Sequence, residues 1–158
     1  MEEITKPLLN NDNKSTPYNI DYEDFYHSKA DGLAEAHHVF QQGNDLAFRW
    51  KNKQFFTIAE TGFGTGLNFL ATWQSWQNTA NRCEQLHYIS IEKHPLSAQT
   101  LSELLSVWPE LSAYSTELLK YYPPTLTGIH RINLSDGKVK LTLCFMDAVT
   151  ALDEVVQQ

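Results

Sequence analysis

Apolar positions along this chain alternate between strand-like runs and helix-like spacings. Phe55-Phe56-Thr57-Ile58-Ala59 is almost continuously apolar, the pattern of a strand buried in a parallel sheet. Leu67, Leu70, Ala71, Trp73 and Gln74 then recur at helical spacing, which predicts a helix over about 65–77. Leu86 to Ile91 reads as a second strand ending at Glu92. Pro95 stands at the entrance to a helix over about 96–107 carrying Leu96, Leu101, Leu104 and Leu105, and Pro109 closes it. A short helix is expected near 112–120. Ile129 to Leu134 and Val139 to Phe145 flank Ser135-Asp136-Gly137 and predict a β-hairpin. In its second arm Val139, Leu141, Leu143 and Phe145 alternate with Lys140, Thr142 and Cys144, which predicts one buried face. That arm ends at Asp147, and a helix is expected from Val149. Upstream, Leu33, Ala34, Ala36, Val39 and Phe40 suggest a helix over about 32–41 stopped by Gly43, and Leu46, Phe48 and Trp50 alternate as in a short strand. Residues 1–19 are polar and read as a flexible lead-in to a domain over 20–158. Strand, helix, strand in this order defines an α/β fold.

Composition adds limits. The 158 residues are 42% hydrophobic and 20% charged, as in an ordinary globular domain. No apolar run nears the roughly 20 residues of a membrane helix, and the acidic, polar start Met1-Glu2-Glu3 is not that of a secretory leader, so no membrane partner is expected and the cytoplasm is the default location. The two cysteines, Cys83 and Cys144, have no zinc-like spacing and are expected as reduced packing residues. A net charge of −7 argues against tight nonspecific nucleic-acid binding. It leaves room for an RNA substrate met by a local basic patch.

The chemistry concentrates in Glu60-Thr61-Gly62-Phe63-Gly64-Thr65-Gly66, placed between a strand and a helix. Glycines there let a ligand approach the backbone, and the first N–H groups of the helix face it. The spacing Gly62-x-Gly64-x-Gly66 departs from the GxGxxG of dinucleotide sites, since position 67 is Leu, and no Gly-Lys-Ser/Thr follows. A carboxylate at Glu60 would repel a pyrophosphate. It suits a cationic ligand, and S-adenosylmethionine carries both a sulfonium and an ammonium. A nicotinamide dehydrogenase fold is accordingly disfavoured. The bland alternative is a glycine turn that packs helix on strand. Glu92, at the end of the next strand, is where a βαβ unit brings a carboxylate to ribose hydroxyls. Asp147 is open between two roles, accepting from an adenine amino group or capping the helix that follows.

Other features are weaker. His37 and His38 are adjacent and point about 100° apart on a helix, against a metal site. Trp73 and Trp76 are expected to pack helix on sheet. Tyr26 precedes the helix placed beside the glycine loop and reads first as a partly exposed aromatic. No nucleophile is assigned.

The run from Glu60 to Gln74, ETGFGTGLNFLATWQ, resembles the methyltransferase domain of the MnmC family, bifunctional enzymes of tRNA 5-methylaminomethyl-2-thiouridine synthesis. Asp31 to Glu35, Val39-Phe40, Gly43-Asn44, Ile89 to Leu96, Trp108 to Leu111 and Gly128 to Arg131 are similar as well, over roughly 17–150. The resemblance implies a Rossmann-like class I S-adenosylmethionine-dependent methyltransferase, present here as the N-terminal half of its sheet plus a β-hairpin. It implies methyl transfer to the aminomethyl nitrogen of a tRNA wobble uridine. Glu60, Gly62, Gly64 and Gly66 would belong to the cofactor loop, Glu92 and Lys93 to the ribose side, Asp147 to the adenine side, with Tyr26 near the cofactor. The family continues into a strand ending Asp-Gly-Phe-Ala-Pro, which carries the acidic residue that handles the amine, and then into a separate FAD domain. Neither occurs in these 158 residues, so the chain is expected to be an incomplete domain whose catalytic residues are unknown, with a non-catalytic S-adenosylmethionine- or partner-binding role as the alternative. An unpaired sheet edge and an uncovered apolar face are then expected to favour self-association.

Overall fold

In the computed structural model, residues 18–19, 24–25 and 32–156 are described. The chain order is β1 (Tyr18–Asn19), β2 (Asp24–Phe25), α1 (Gly32–Glu35) running on as a π-helix (Ala36–Gln42), α2 (Leu46–Arg49), β3 (Phe55–Thr61), α3 (Leu67–Asn78), β4 (Gln85–Glu92), α4 (Ala98–Leu105), a 3₁₀ turn (Pro109–Leu111), α5 (Ser112–Tyr121), β5 (Gly128–Leu134), β6 (Val139–Phe145) and α6 (Ala148–Val156). The lead-in over 1–19 lies outside the described residues apart from β1, which pairs antiparallel with β2. The main sheet has the order β3-β4-β6-β5, with β3, β4 and β6 parallel and β5 antiparallel to β6.

Register sorts the side chains. Phe56, Ile58, Leu86, Tyr88, Val139, Leu141, Leu143, Ile132 and Leu134 share one face. They are buried with Phe69, Leu70, Trp73 and Trp76 of α3, Leu101 and Leu105 of α4, and Leu118 of α5. Each such side chain withdraws enough apolar area to contribute about 1.5–3 kcal/mol. Among the described residues the opposite face meets only α6, where Cys144, Met146 and Ala151 form a small cluster beside the half-buried Ile89, Ile91 and Ile129. Phe55 on that side is 69% exposed.

Three local expectations are corrected. Leu46 to Trp50 forms α2 and its C-cap, not a strand: Leu46 and Trp50 are both buried, a spacing of four that a helix also satisfies, while Phe48 points outward. Gly43 does not end its helix in the left-handed form, since its φ is −57°; the chain reverses at Asp45, φ 50°. Strand β6 is buried on both faces along most of its length, because it lies between β4 and β5 and α6 covers its second side. The remaining helices and strands match their expected places, with ends shifted by a few residues. α4 begins at Ala98 because Ser97 caps it, its Oγ accepting from Thr100 N–H at 3.1 Å.

Candidate functional site

The glycine loop leaves β3 at the C-terminal end of the parallel strands, the end where open α/β sheets gather their ligand-binding loops. Three tethers define its shape. Gly62 N–H donates to the Ile91 carbonyl at 2.7 Å, continuing the β3–β4 ladder. Gly64 N–H donates to Glu92 Oε2 at 2.9 Å. Gly66 N–H donates to the Phe63 carbonyl at 2.8 Å, and Gly66 is the N-cap of α3.

The glycines have different jobs. Gly62 has φ +85°, and a Cβ there would meet nothing within 4 Å, so its backbone fronts open space. Gly66 has φ +74°, and a Cβ would lie 2.7 Å from the Phe63 ring. That ring is buried, stacked on Tyr122 and tilted against Phe69. Gly66 therefore serves the packing beneath the loop, whereas Gly62 exposes backbone. Thr65 Oγ is buried in the loop without a hydrogen-bond partner.

Glu60 and Glu92 flank this loop from adjacent strands. Glu60 lies in register with Ser90. Its Oε1 accepts from Ser90 Oγ at 2.9 Å and its Oε2 faces Asn68 Nδ2 at 3.4 Å. Burial pushes the Glu60 carboxyl up to about 7, against the opposing pull of its hydrogen-bonding neighbours. Glu92 Oε1 accepts from His94 N–H at 2.7 Å. With the Gly64 bond this uses two of the roughly four acceptor positions of a carboxylate and leaves the rest for hydroxyl donors. Asp147 follows β6, the neighbour of β4, so it arrives at the same end of the sheet. Its Oδ1 accepts from Val149 N–H at 2.9 Å, the helix cap that the sequence allowed, and its Oδ2 lies 3.6 Å from Lys93 Nζ in a half-exposed ion pair. Such a pair stabilises by under about 1 kcal/mol and mainly orients the two side chains.

The fold thus gathers Glu60, Gly62, Gly64, Gly66, Glu92, Lys93 and Asp147. Tyr26 lies outside the described residues. His37 and His38 stand apart, each ring facing a glutamine one turn on, Gln41 at 3.2 Å and Gln42 at 3.0 Å. Trp73 and Trp76 are buried on the sheet, the latter donating to the Cys83 carbonyl at 3.1 Å. Cys83 and Cys144 are buried free thiols. Among the described residues, no three His, Cys, Asp or Glu side chains gather around a metal position, and no helix is long and apolar enough to cross a membrane. Tyr88 and Ser90 went unnoticed in the sequence. Their signal was a polar alternation within β4 that only register aims at Glu60.

The sheet order and the loop at the C-terminal end of its parallel strands define a Rossmann-like α/β fold. A solved structure described as MNMC2 from Aquifex aeolicus superposes with a TM-score of 0.65 at 20% identity, over 88% of this chain and 41% of that one. In sequence, the chain is homologous over nearly all its length to proteins named tRNA 5-methylaminomethyl-2-thiouridine biosynthesis bifunctional protein MnmC, in line with the resemblance of the glycine-loop run. It is 46% identical over 156 residues to the one from Cupriavidus metallidurans, covering 98% of this chain and 23% of that protein. It is 46% identical over 155 residues to the one from Saccharophagus degradans (96% and 22%), and 44% identical over 152 to the one from an Azoarcus species (96% and 24%). The chain therefore spans under a quarter of the length of these relatives. No family model matches it.

Proposed function

We propose that this chain holds the methyl-donor side of a cytoplasmic tRNA-modifying methyltransferase. The observation that supports it most is that Glu60 and Glu92, from adjacent strand ends, flank one glycine loop with an open backbone at Gly62, while Asp147 follows β6 at the same end of the sheet. S-adenosylmethionine fits that set: a cationic ligand beside Glu60, hydroxyl donors at Glu92 with acceptor positions to spare, and an exocyclic amine within the scope of Asp147. Bound there, it would supply an electrophilic methyl group. The work of the chain's own residues is to seat and orient the donor, the larger part of catalysis in a displacement between two held reactants.

The names of the relatives support tRNA as the substrate, with the aminomethyl nitrogen of a wobble uridine as acceptor. FAD belongs to the family's separate domain and is not proposed for this chain. A second reading is binding of S-adenosylmethionine or of a partner without turnover. Calorimetric titration tests the site: S-adenosylhomocysteine is expected to bind and NAD to give no heat, and the reverse order would refute the reading. Methyl incorporation into tRNA separates the two readings, since binding without incorporation leaves only the second. We further propose that the side of β3 left open by the described residues drives self-association of the isolated chain.

A further inference from the structure

The chain carries a net charge of −7, yet its charges are unevenly spread. From Leu46 to Ala59 it has the cations Arg49, Lys51 and Lys53 and no carboxylate. The fold brings Arg82 beside them. The loop before β3 and the loop before β4 are laced together: Asn52 N–H donates to the Asn81 carbonyl at 2.9 Å, and Glu84 N–H donates to the Lys53 carbonyl at 3.2 Å. Asn52 and Asn81 both take a left-handed φ of 56°, so each loop turns sharply at its asparagine. Buried rings then hold the cations. Arg49 and Lys53 lie over the Phe56 ring at 5.5 and 5.1 Å, and Arg82 lies over the Trp76 ring at 4.5 Å. Such contacts orient a long side chain while its charged head stays in water. Arg49, Lys51 and Lys53 are exposed and Arg82 is half-buried. Among the described residues, none of the four meets a carboxylate in an ion pair. Glu84 is the acid that these two loops contain. The next turn, Ser135 to Lys138, adds Lys138 but also Asp136, and Glu117 accepts from Ser135 N–H there, so the positive excess is centred on the first two loops.

This basic surface lies at the N-terminal end of the parallel strands. The glycine loop lies at their other end, about 20 Å away along β3 at ~3.3 Å per residue. That end carries Glu60, Glu92 and Asp147, with Lys93 paired to Asp147. Carboxylates there attract a sulfonium and repel phosphates, so an RNA brought to the donor has to be gripped by its backbone elsewhere. Cations fixed by rings and free of acidic partners suit a phosphate backbone, whose condensed counterions they displace. Phe48, next to Arg49, is 70% exposed and offers a ring on which an unpaired base can stack, a contact that an acidic peptide does not call for. We infer that Arg49, Lys51, Lys53 and Arg82 form a contact for the phosphate backbone of an RNA whose modified nucleotide sits at the opposite end of the sheet. The inference rests on the tRNA reading above and adds to it the place where the RNA is held.

Fluorescence anisotropy of end-labelled, unfractionated bacterial tRNA with the 158-residue chain, between about 25 and 200 mM salt, measures the contact. The logarithm of the parent's affinity is expected to fall against that of salt with a slope of about −3, from four cations at roughly 0.7–0.9 each. Lys51→Ala combined with Lys53→Ala should bind roughly tenfold more weakly at about 50 mM salt, with a slope shallower by about 1.5. Lys51→Arg combined with Lys53→Arg keeps the charges and should match the parent. Lys120→Ala, at an exposed lysine near the end of α5, controls for net charge and should leave tRNA affinity unchanged. S-adenosylhomocysteine affinity should be the same in every variant. Parent-like affinity and slope in the double alanine variant would overturn the inference, as would a loss per charge as large in Lys120→Ala. Polyglutamate displacing the label as well as unlabelled tRNA of equal charge would overturn it in favour of an acidic protein partner. Failure of the parent to bind tRNA while it binds S-adenosylhomocysteine would overturn it and leave the donor site standing. The converse, tRNA held through the lysines without S-adenosylhomocysteine binding, would remove the donor-site reading and support the contact.

Discussion

Replacing Gly66 with alanine should destabilise the chain far more than replacing Gly62, although both lie in one loop at similar φ. Each substitution forces an L-residue into the left-handed region, at a cost of roughly 1–2 kcal/mol. At Gly62 that is the whole cost, because the new methyl meets nothing within 4 Å. At Gly66 the methyl would sit 2.7 Å from Phe63 Cζ and 2.9 Å from Cε1, well inside ordinary carbon contact at about 3.5–4.0 Å. The Phe63 ring cannot swing aside freely, since Tyr122 stacks on it at 6.3 Å and Phe69 lies against it at 6.3 Å between centroids. Overpacking of this kind costs about 1–3 kcal/mol. Gly66→Ala should therefore lose roughly 2–5 kcal/mol, a large share of the ~5–15 kcal/mol that holds a domain together. Equilibrium urea unfolding followed by tryptophan fluorescence measures both variants. Adding Phe63→Leu to Gly66→Ala should recover part of the loss, because a smaller side chain vacates the overlap. Equal stability of the two glycine variants, within about 0.5 kcal/mol, would refute the division of labour within the loop. Gly62→Ala should show its larger defect in S-adenosylhomocysteine affinity.

Further outcomes follow from other contacts. Glu92→Ala removes the acceptor for both Gly64 and His94 N–H, and at about 1.5–3 kcal/mol for a charge-assisted bond it should lower stability and weaken S-adenosylhomocysteine binding at least tenfold by calorimetry. Glu60 has its carboxyl raised from 4.5 to about 7, so the folded chain holds a proton that the unfolded chain has lost. Stability should fall as pH rises between those values and flatten above, and the urea midpoint of Glu60→Gln should lack this slope. Ser97→Ala removes the α4 cap and should cost about 1 kcal/mol in urea unfolding with no change in ligand affinity. Among the described residues β3 is an edge strand, and Phe55→Lys, placing a charge on its exposed side, should reduce self-association in sedimentation velocity; an unchanged profile would locate any association elsewhere.

By itself, the sequence determined the succession of elements and the position of the loop. Phe55 to Ala59 is apolar enough to be a buried strand, three glycines at spacing two cannot continue it, and Leu67, Leu70, Ala71 and Trp73 recur at helical spacing. These are local properties, legible from period and glycine content. The misreading of Leu46 to Trp50 shows the boundary: apolar residues at i, i+2 and i+4 satisfy a strand, and i with i+4 satisfies a helix, so the burial of Trp50 and the exposure of Phe48 had to choose. β6 shows it again, since alternation there promised one dry face and the packing of α6 on the other dried both. Only the tertiary structure decided which carboxylates meet. Glu60 and Ser90 are thirty residues apart and become hydrogen-bonded because parallel register aligns them. Glu92 reaches Gly64 for the same reason, and Asp147 comes to the same end of the sheet, within 3.6 Å of Lys93, because β6 inserts beside β4. Likewise, Gly66 reads in sequence as one more cofactor glycine, and the Phe63 ring beneath it shows a packing role. Strand order and register are non-local. No window of sequence contains them, and the environment that sets the charge of Glu60 is made by residues from two other elements.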